Sequence, residues 1–303
     1  MDVTNVIINF RRHLKRKNYS PHTVKNYLNM LQHYIRWLDI PLEAATPENI
    51  AGYIDFLMAK HLHPSTINCH LCCIRIFYDY VHHEEKINVI NPVRKGVALR
   101  LPAPLPRYVK EEDLDILFAT INKHRDRAIF MLMLRCGLRV EEVANLTLGA
   151  VDLRRRRIVV HNGKGRKDRV VYISDDAYLA LDKYLRLRPK SKAKEIFLVE
   201  KGTYKGQGIS VRGIQKRMEY YTSKTGLKIS CHHLRHTMAT QMLNANAELS
   251  TIQDLLGHRW ITTTQKYCTV FNLKVQRDYF KAMEIVMLRS SPLPLNLNSG
   301  LRH

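Results

Sequence analysis

Between residues 20 and 38, Val24, Tyr27, Leu31, Tyr34 and Leu38 recur at three- and four-residue steps, the period of one helix face. Ser20 and Pro21 stand just before them, a capping residue and then a proline at the first helical position, where its missing N–H costs nothing. The same start signal recurs at Thr46-Pro47, ahead of Ile50, Tyr53, Ile54, Leu57 and Met58. It recurs again at Pro64-Ser65, ahead of Ile67, Leu71, Ile74, Tyr78 and Val81. With an opening helix over residues 3–14, the first hundred residues read as a four-helix domain.

The pattern then breaks. "GVALRLPAPLPRYV" (Gly96 to Val109) holds three prolines in five residues, which forbids a helix and favours an extended, semi-rigid connector. Arg100 and Arg107 within it suit a strap along a phosphate backbone. Helices are expected again over 111–121 and 125–136. Two β-branched runs, Ile158 to Val160 and Val170 to Ile173, then flank a glycine-rich turn and predict a β-hairpin. Helices follow over 175–187, 211–223, 232–243 and 250–256. The division expected is 1–95, a helical domain; 96–107, a linker; 108–280, a second domain; and 281–303, a C-terminal helix and tail. Across the end of the second domain and that last part, Val275, Tyr279, Met283, Ile285 and Val286 predict an amphipathic helix.

Charge narrows the partners. The 303 residues carry 49 Lys+Arg against 27 Asp+Glu, a formal net charge of +22. So large an excess argues for a polyanion such as nucleic acid. A membrane surface is the competing polyanion, yet the most apolar run, "AIFMLML" (Ala128 to Leu134), is ended by Arg135 and is too short to span a bilayer. The N-terminus lacks the order of a signal peptide, and a cytoplasmic location is expected. Six cysteines, Cys69, Cys72, Cys73, Cys136, Cys231 and Cys268, are then reduced. "CHLCC" has a C-x-x-C spacing but no second ligand pair at zinc-finger distance, so a core role is expected there.

Four places carry candidate chemistry. In "CHHLRHTMAT", His232, Arg235 and His236 share one face of a helix, while Leu234, Met238, Met242 and Leu243 form a core stripe. His232 and His236 have a zinc-helix spacing, but a zinc hydrolase needs glutamate where His233 stands. A phosphate site fits better, since a helix N-terminus and a planar guanidinium both favour an anion. "RCGLRVEEVANLTL" puts Arg139 after a glycine turn, with Glu142 three residues on. "HNGKGRKDRV" carries Lys164 between two glycines, and "LLGHRWITTTQKYCTV" presents His258 and then Tyr267 nine residues later.

These segments, in this order, resemble the tyrosine recombinase (phage integrase) family, the Xer-type site-specific DNA recombinases. "GLRVEEV" resembles the family's first box, "HHLRHTMAT" its H-x-x-R box, "LLGH" and Tyr267 its third, and "GKGRKDR" the strand pair carrying its lysine. Two departures, Glu141 in place of a small residue and Cys268 after the tyrosine, remove no catalytic group. The resemblance implies a mainly α fold with a small β-hairpin or sheet, the catalytic domain being α+β. It implies a two-domain, C-shaped DNA clamp whose 1–95 domain is the core-binding, SAM-like one.

Its chemistry would run without metal or cofactor. Arg139 and Arg235 would grip the non-bridging oxygens of a phosphodiester, and Tyr267 would attack it to leave a 3′-phosphotyrosyl bond and a 5′-hydroxyl. His232 is the candidate for the tyrosine proton, Lys164 would protonate the departing oxygen, and His258 would position Tyr267. Glu142 and His236 would support them, and Arg166, Lys167 and Arg169 join Arg100 and Arg107 as DNA-binding candidates. The implied partners are double-stranded DNA recombination sites, bound by four copies on two duplexes, with monomer or dimer as the free state and DNA-bending proteins as accessories. The role could be integration, excision, resolution or transposition of a mobile element. A type IB topoisomerase-like or telomere-resolving strand transferase is the alternative. A DNA-binding regulator would have no use for a nucleophile, and an RNA-binding module lacks its aromatic strand or GXXG loop.

Overall fold

The computed structural model describes residues 2–101, 108–161, 168–257 and 279–285. The chain separates into two compact units, Met1–Ala103 and Pro104–His303.

The first unit holds α1 (Val3–Arg16), α2 (Pro21–Trp37), α3 (Pro47–Ala59) and α4 (Pro64–His83), with a 3-10 turn at Leu42–Ala44. Each start has its cap. The Asp2 carboxylate accepts the Asn5 N–H at 3.1 Å, the Ser20 hydroxyl that of Thr23 at 3.1 Å, and the Asn49 side chain the Thr46 N–H at 2.9 Å. At α4 the cap is His63, whose Nδ1 accepts the Ser65 N–H at 3.3 Å. Such bonds satisfy donors that the first helical turn leaves open. Phe10, Tyr34, Tyr53, Phe77 and Tyr78 are buried between the helices. The Tyr78 hydroxyl donates to the Leu42 carbonyl at 2.8 Å, and the Tyr53 hydroxyl lies 2.9 Å from His70 Nδ1. Burial raises the pKa of all three phenols.

One expectation fails here. Cys69 and Cys72 are exposed, and only Cys73 of the "CHLCC" stretch is buried. The α4 core face runs through Ile67, Leu71, Ile74, Tyr78 and Val81, and positions 69 and 72, three apart, fall on the other side.

The second unit holds α5 (Glu111–Thr120), α6 (His124–Arg135), α7 (Val140–Ala144), β1 (Val151–Asp152), β2 (Arg157–Val160), β3 (Arg169–Tyr172), α8 (Asp175–Leu187), α9 (Val211–Thr225), α10 (Cys231–Asn244) and α11 (Leu249–Leu256). The strands form one antiparallel sheet ordered β1-β2-β3, with Val151 opposite Ile158 and Ile158 opposite Val171. The hairpin thus has a third strand that the pattern did not predict, because two residues are too few to show a period. The run Arg154 to Arg156 is its exposed turn.

Helix α6 is the centre. From Ala128 to Leu134 every residue is buried, against α8, α9 and α10, so the most apolar run of the chain is a core helix. Its first turn is pinned by a buried carboxylate. Asp126 accepts Arg125 Nη2 at 2.7 Å, Arg217 Nε at 2.7 Å and the Tyr221 hydroxyl at 2.9 Å, so its charge is fully paired. Its last turn leads straight into "CGLR". No helix among the described residues is long and apolar enough to cross a membrane. Residues 279–285 are helical, with Tyr279, Phe280 and Ile285 exposed.

Candidate active site

After α6 the chain turns sharply at Gly137, whose φ of +63° is open to glycine. A Cβ there would stand 3.1 Å from the Leu256 side chain and 3.2 Å from Met238 Sδ. The turn therefore lets α11 and α10 pack directly against the backbone that delivers Arg139. Leu138 is buried beside it, which turns Arg139 toward the opening of α7.

Glu142, one turn on, holds Arg139 twice. Its Oε2 accepts the Arg139 backbone N–H and its Oε1 accepts Arg139 Nη1, each at 2.8 Å. Arg139 Nη2 reaches the Leu256 and Gly257 carbonyls at 3.2 and 3.3 Å. Arg235, from α10, is only 4% exposed; its Nη1 donates to the Gly137 carbonyl and its Nη2 to that of Leu256. Two guanidiniums distant in sequence thus meet on one oxygen. The last carbonyls of α11 attract them because a helix C-terminus carries partial negative charge and lacks internal partners.

Arg169 completes the cluster in a place the sequence reading did not assign to it. It was expected among the DNA-binding residues, but its side chain is 8% exposed and turned inward. Nη1 and Nη2 fork onto Glu142 Oε1 and Oε2 at 2.7 Å each, and Nε donates to the Leu255 carbonyl at 2.7 Å. The signal was in the strand: residues two apart share a face, and Val171 is buried. Burial by itself would raise the Glu142 pKa, but the bonds and charge of Arg169, then those of Arg139, carry it down to about 2. Arg139 and Arg169 on one ionised carboxylate, with Arg235 joining Arg139 on the Leu256 carbonyl, leave excess positive charge in a largely buried cluster, which is what an anion site needs.

The histidines of α10 divide. His232 is exposed at the helix start. Its ring centroid lies 6.3 Å from that of His236. His236 is half-buried, and burial, then the neighbouring charges of His232, His233 and Arg235, bring its pKa down to about 4. It is neutral near pH 7 and can serve as a hydrogen-bonding ring but not as a cation. His233 has a local task, its Nδ1 accepting the Ser230 N–H at 3.3 Å. Thr237 anchors the segment after the connector, its Oγ1 accepting the Val109 N–H at 2.8 Å. Among the described residues no cluster of three or more His, Cys, Asp or Glu could hold a metal ion. Arg100 is exposed in the first unit. Lys164, His258 and Tyr267, with Arg107, Arg166 and Lys167, lie outside the described residues.

The two depressed pKa values predict how stability responds to acid. Below pH 6.5, His236's ordinary value, the unfolded chain takes up a proton that the native chain refuses until about pH 4. Below pH 4.5 the same holds for Glu142 down to about pH 2. Stability should therefore fall in two successive steps on acidification, the Glu142 step on the order of 2–3 kcal/mol. Urea midpoints measured from pH 7 to pH 2.5 check this, and His236→Asn should remove the upper step alone.

Comparison with known proteins identifies this arrangement. Residues 107–273 match the phage integrase family and residues 7–87 the phage integrase N-terminal SAM-like domain. The tyrosine recombinase XerC of Thermodesulfovibrio yellowstonii is 33% identical over 276 residues, covering 87% of this chain and 91% of the relative. That of Staphylococcus haemolyticus is 31% identical, covering 88% and 92%. Among solved structures, the Tn1549 transposon integrase in complex with transposon right end DNA aligns with a TM-score of 0.75 at 16% identity, over 93% of this chain and 100% of that one. A lambda integrase dimer bound to a COC' core site aligns with a TM-score of 0.72 at 16% identity, over 88% and 95%. These likenesses show the fold, and the sequence relatives show the lineage: the chain belongs to the phage integrase family of tyrosine recombinases, enzymes that break and rejoin DNA strands.

Proposed function

We propose that the chain is a site-specific recombinase that cleaves double-stranded DNA at paired recombination sites. Tyr267 attacks the scissile phosphate, leaving a 3′-phosphotyrosyl bond and a free 5′-hydroxyl, and a 5′-hydroxyl from the partner duplex reverses the step through a Holliday junction. Because the protein–DNA ester keeps the energy of the broken phosphodiester, the exchange needs neither ATP nor Mg²⁺. Four copies act on two duplexes, assembled from monomers or dimers and aided by DNA-bending proteins. It works on nucleoid DNA in the cytoplasm, in integration, excision, resolution or transposition of a mobile element.

One observation carries this reading: Arg139 and Arg235 converge on the Leu256 carbonyl, one residue before Gly257 and two before His258. Two guanidiniums on one oxygen mark where an anionic oxygen would gain most, since their attraction for it grows as the phosphorane gathers charge. Glu142, ionised and committed to two arginines, holds that field in place and carries no proton. His232, exposed at the start of α10, is the group available to take the tyrosine proton. Lys164 supplies a proton to the 5′-oxygen, and His258 aligns Tyr267.

A two-site recombination assay set beside a supercoil-relaxation assay tests it. Exchange between sites is expected; relaxation with no exchange would instead identify a topoisomerase-like transferase. Binding should also be steeply salt-dependent, losing on the order of 10³-fold or more in affinity between about 50 and 200 mM salt if the clamp neutralises some 6–10 phosphates. A flat response would contradict the clamp.

A further inference from the structure

We propose that Arg169 is a positioning residue of the strand-cleavage site, acting through Glu142 on Arg139 and through Leu255 on the end of α11. The inference rests on the recombinase reading for its consequence, but its geometry stands by itself. Each Glu142 oxygen receives one bond from Arg139 and one from Arg169: Oε1 from Arg139 Nη1 and Arg169 Nη1, Oε2 from the Arg139 N–H and Arg169 Nη2. The carboxylate is thus a bridge with both ends occupied, and neither oxygen can rotate away from Arg139 without breaking the fork to Arg169.

The third donor ties in another segment. Arg169 Nε holds the Leu255 carbonyl at 2.7 Å, next to the Leu256 carbonyl that Arg139 and Arg235 share. The chain then passes the Arg169 stem at Gly257, whose φ is +59° and where a Cβ would lie 3.0 Å from Arg169 Cδ. Beyond Gly257 come His258 and Tyr267, and Arg169 itself opens β3, five residues after Lys164. One guanidinium therefore joins the first box, the second strand of the hairpin and the helix before the third box. With the three donors placed inside and the side chain 8% exposed, little of it is left to touch DNA. Removing it frees a carboxylate next to Arg139, and misplacement of a catalytic group by about 1 Å can cost about 100-fold in rate.

The test uses Arg169→Gln, Arg169→Lys, Glu142→Gln and the Arg169→Gln/Glu142→Gln double variant, on the nicked duplex that the wild-type chain captures best from a randomised nicked library. At saturating protein, Arg169→Gln should form the denaturant-resistant adduct about 10- to 100-fold more slowly, with DNA affinity within about threefold of wild type. Arg169→Lys, which keeps the charge and loses the fork, should fall between. The double variant should be no slower than the slower single one, because both break the same bridge. The acid limb of the cleavage rate should move to higher pH in Arg169→Gln, since Glu142 loses its strongest partner. Wild-type cleavage with weakened binding would overturn the proposal and make Arg169 a DNA contact; multiplying effects in the double variant, or an unmoved acid limb, would overturn it too. Should Arg169→Gln not fold, Arg169→Lys carries the same comparisons. If the wild-type chain captures no duplex at all, the recombinase reading fails. The bridge is then judged without DNA, by whether Arg169→Lys raises the pH at which the Glu142 step in urea stability occurs.

Discussion

Replacing Tyr267 by phenylalanine is expected to abolish covalent capture of DNA while leaving binding within about threefold of wild type. The substitution deletes one oxygen and keeps the ring, so packing and charge stay as they were and only the nucleophile is lost. Adduct formation should fall by more than about 10³-fold, as when other enzymes lose the attacking atom. The chain's buried tyrosines are poor substitutes. Tyr34, Tyr53, Tyr78 and Tyr184 are buried with their phenol pKa values raised, chiefly by desolvation. Tyr221 is pushed up to about 12 by burial and then by Asp126. Tyr220 is the rival to watch, being exposed and having its pKa lowered by a hydrogen bond to Lys224 and by the charges of Lys224, Arg217 and Lys123. A denaturant-resistant adduct that persists in Tyr267→Phe would sink the assignment, and peptide mapping of it should examine Tyr220 first.

Arg235→Lys should slow single-turnover cleavage by about 10²–10³-fold, the loss found when a preorganised donor to a developing oxyanion is removed. Lysine retains the charge, so DNA affinity should change by no more than a few-fold. What it cannot retain is the fork. Arg235 spans the Gly137 and Leu256 carbonyls with separate nitrogens, and an ammonium on a flexible stem is a single point. Thermal midpoints measured alongside would separate this from unfolding, since the site is buried and an alanine there would take one donor from the Gly137 carbonyl and leave the Leu256 carbonyl to Arg139. Cleavage at the wild-type rate would show that Arg235 serves the fold and not the phosphate.

How much of this could be read from the chain alone depended on the range of each signal. The capped starts at Ser20-Pro21 and Thr46-Pro47 are local, and α2 and α3 begin where those residues predict. Helix α8 has the predicted bounds, 175–187, because its apolar period is undisturbed. Strand β1 was invisible, since two residues carry no period and it exists only through pairing with β2. The exposure of Cys69 and Cys72 was legible from the spacing of Ile67, Leu71 and Ile74, but the apolar character of cysteine outweighed that geometry. At the site, the arginine pair and Glu142 followed from the motifs. The inward turn of Arg169 needed knowledge of the buried carboxylate 27 residues earlier in the chain. A basic residue in a basic stretch looks like a surface charge until its partner is known. The task of His233 was likewise out of reach of the sequence, because its bond to the Ser230 N–H depends on where α10 starts.

The shared Leu256 oxygen has a consequence for which anions the site will accept. A free sulfate or phosphate ion must compete with a main-chain acceptor already in place, and it brings no other contact to compensate for the bond it displaces. A phosphate embedded in a duplex would arrive with further contacts made elsewhere on the protein, and that remote attraction could be spent on prising the guanidiniums from their resting partner. On the proposed function the oxygen would work as a stopper: salt alone would leave it seated, and a correctly docked double helix would pull it out.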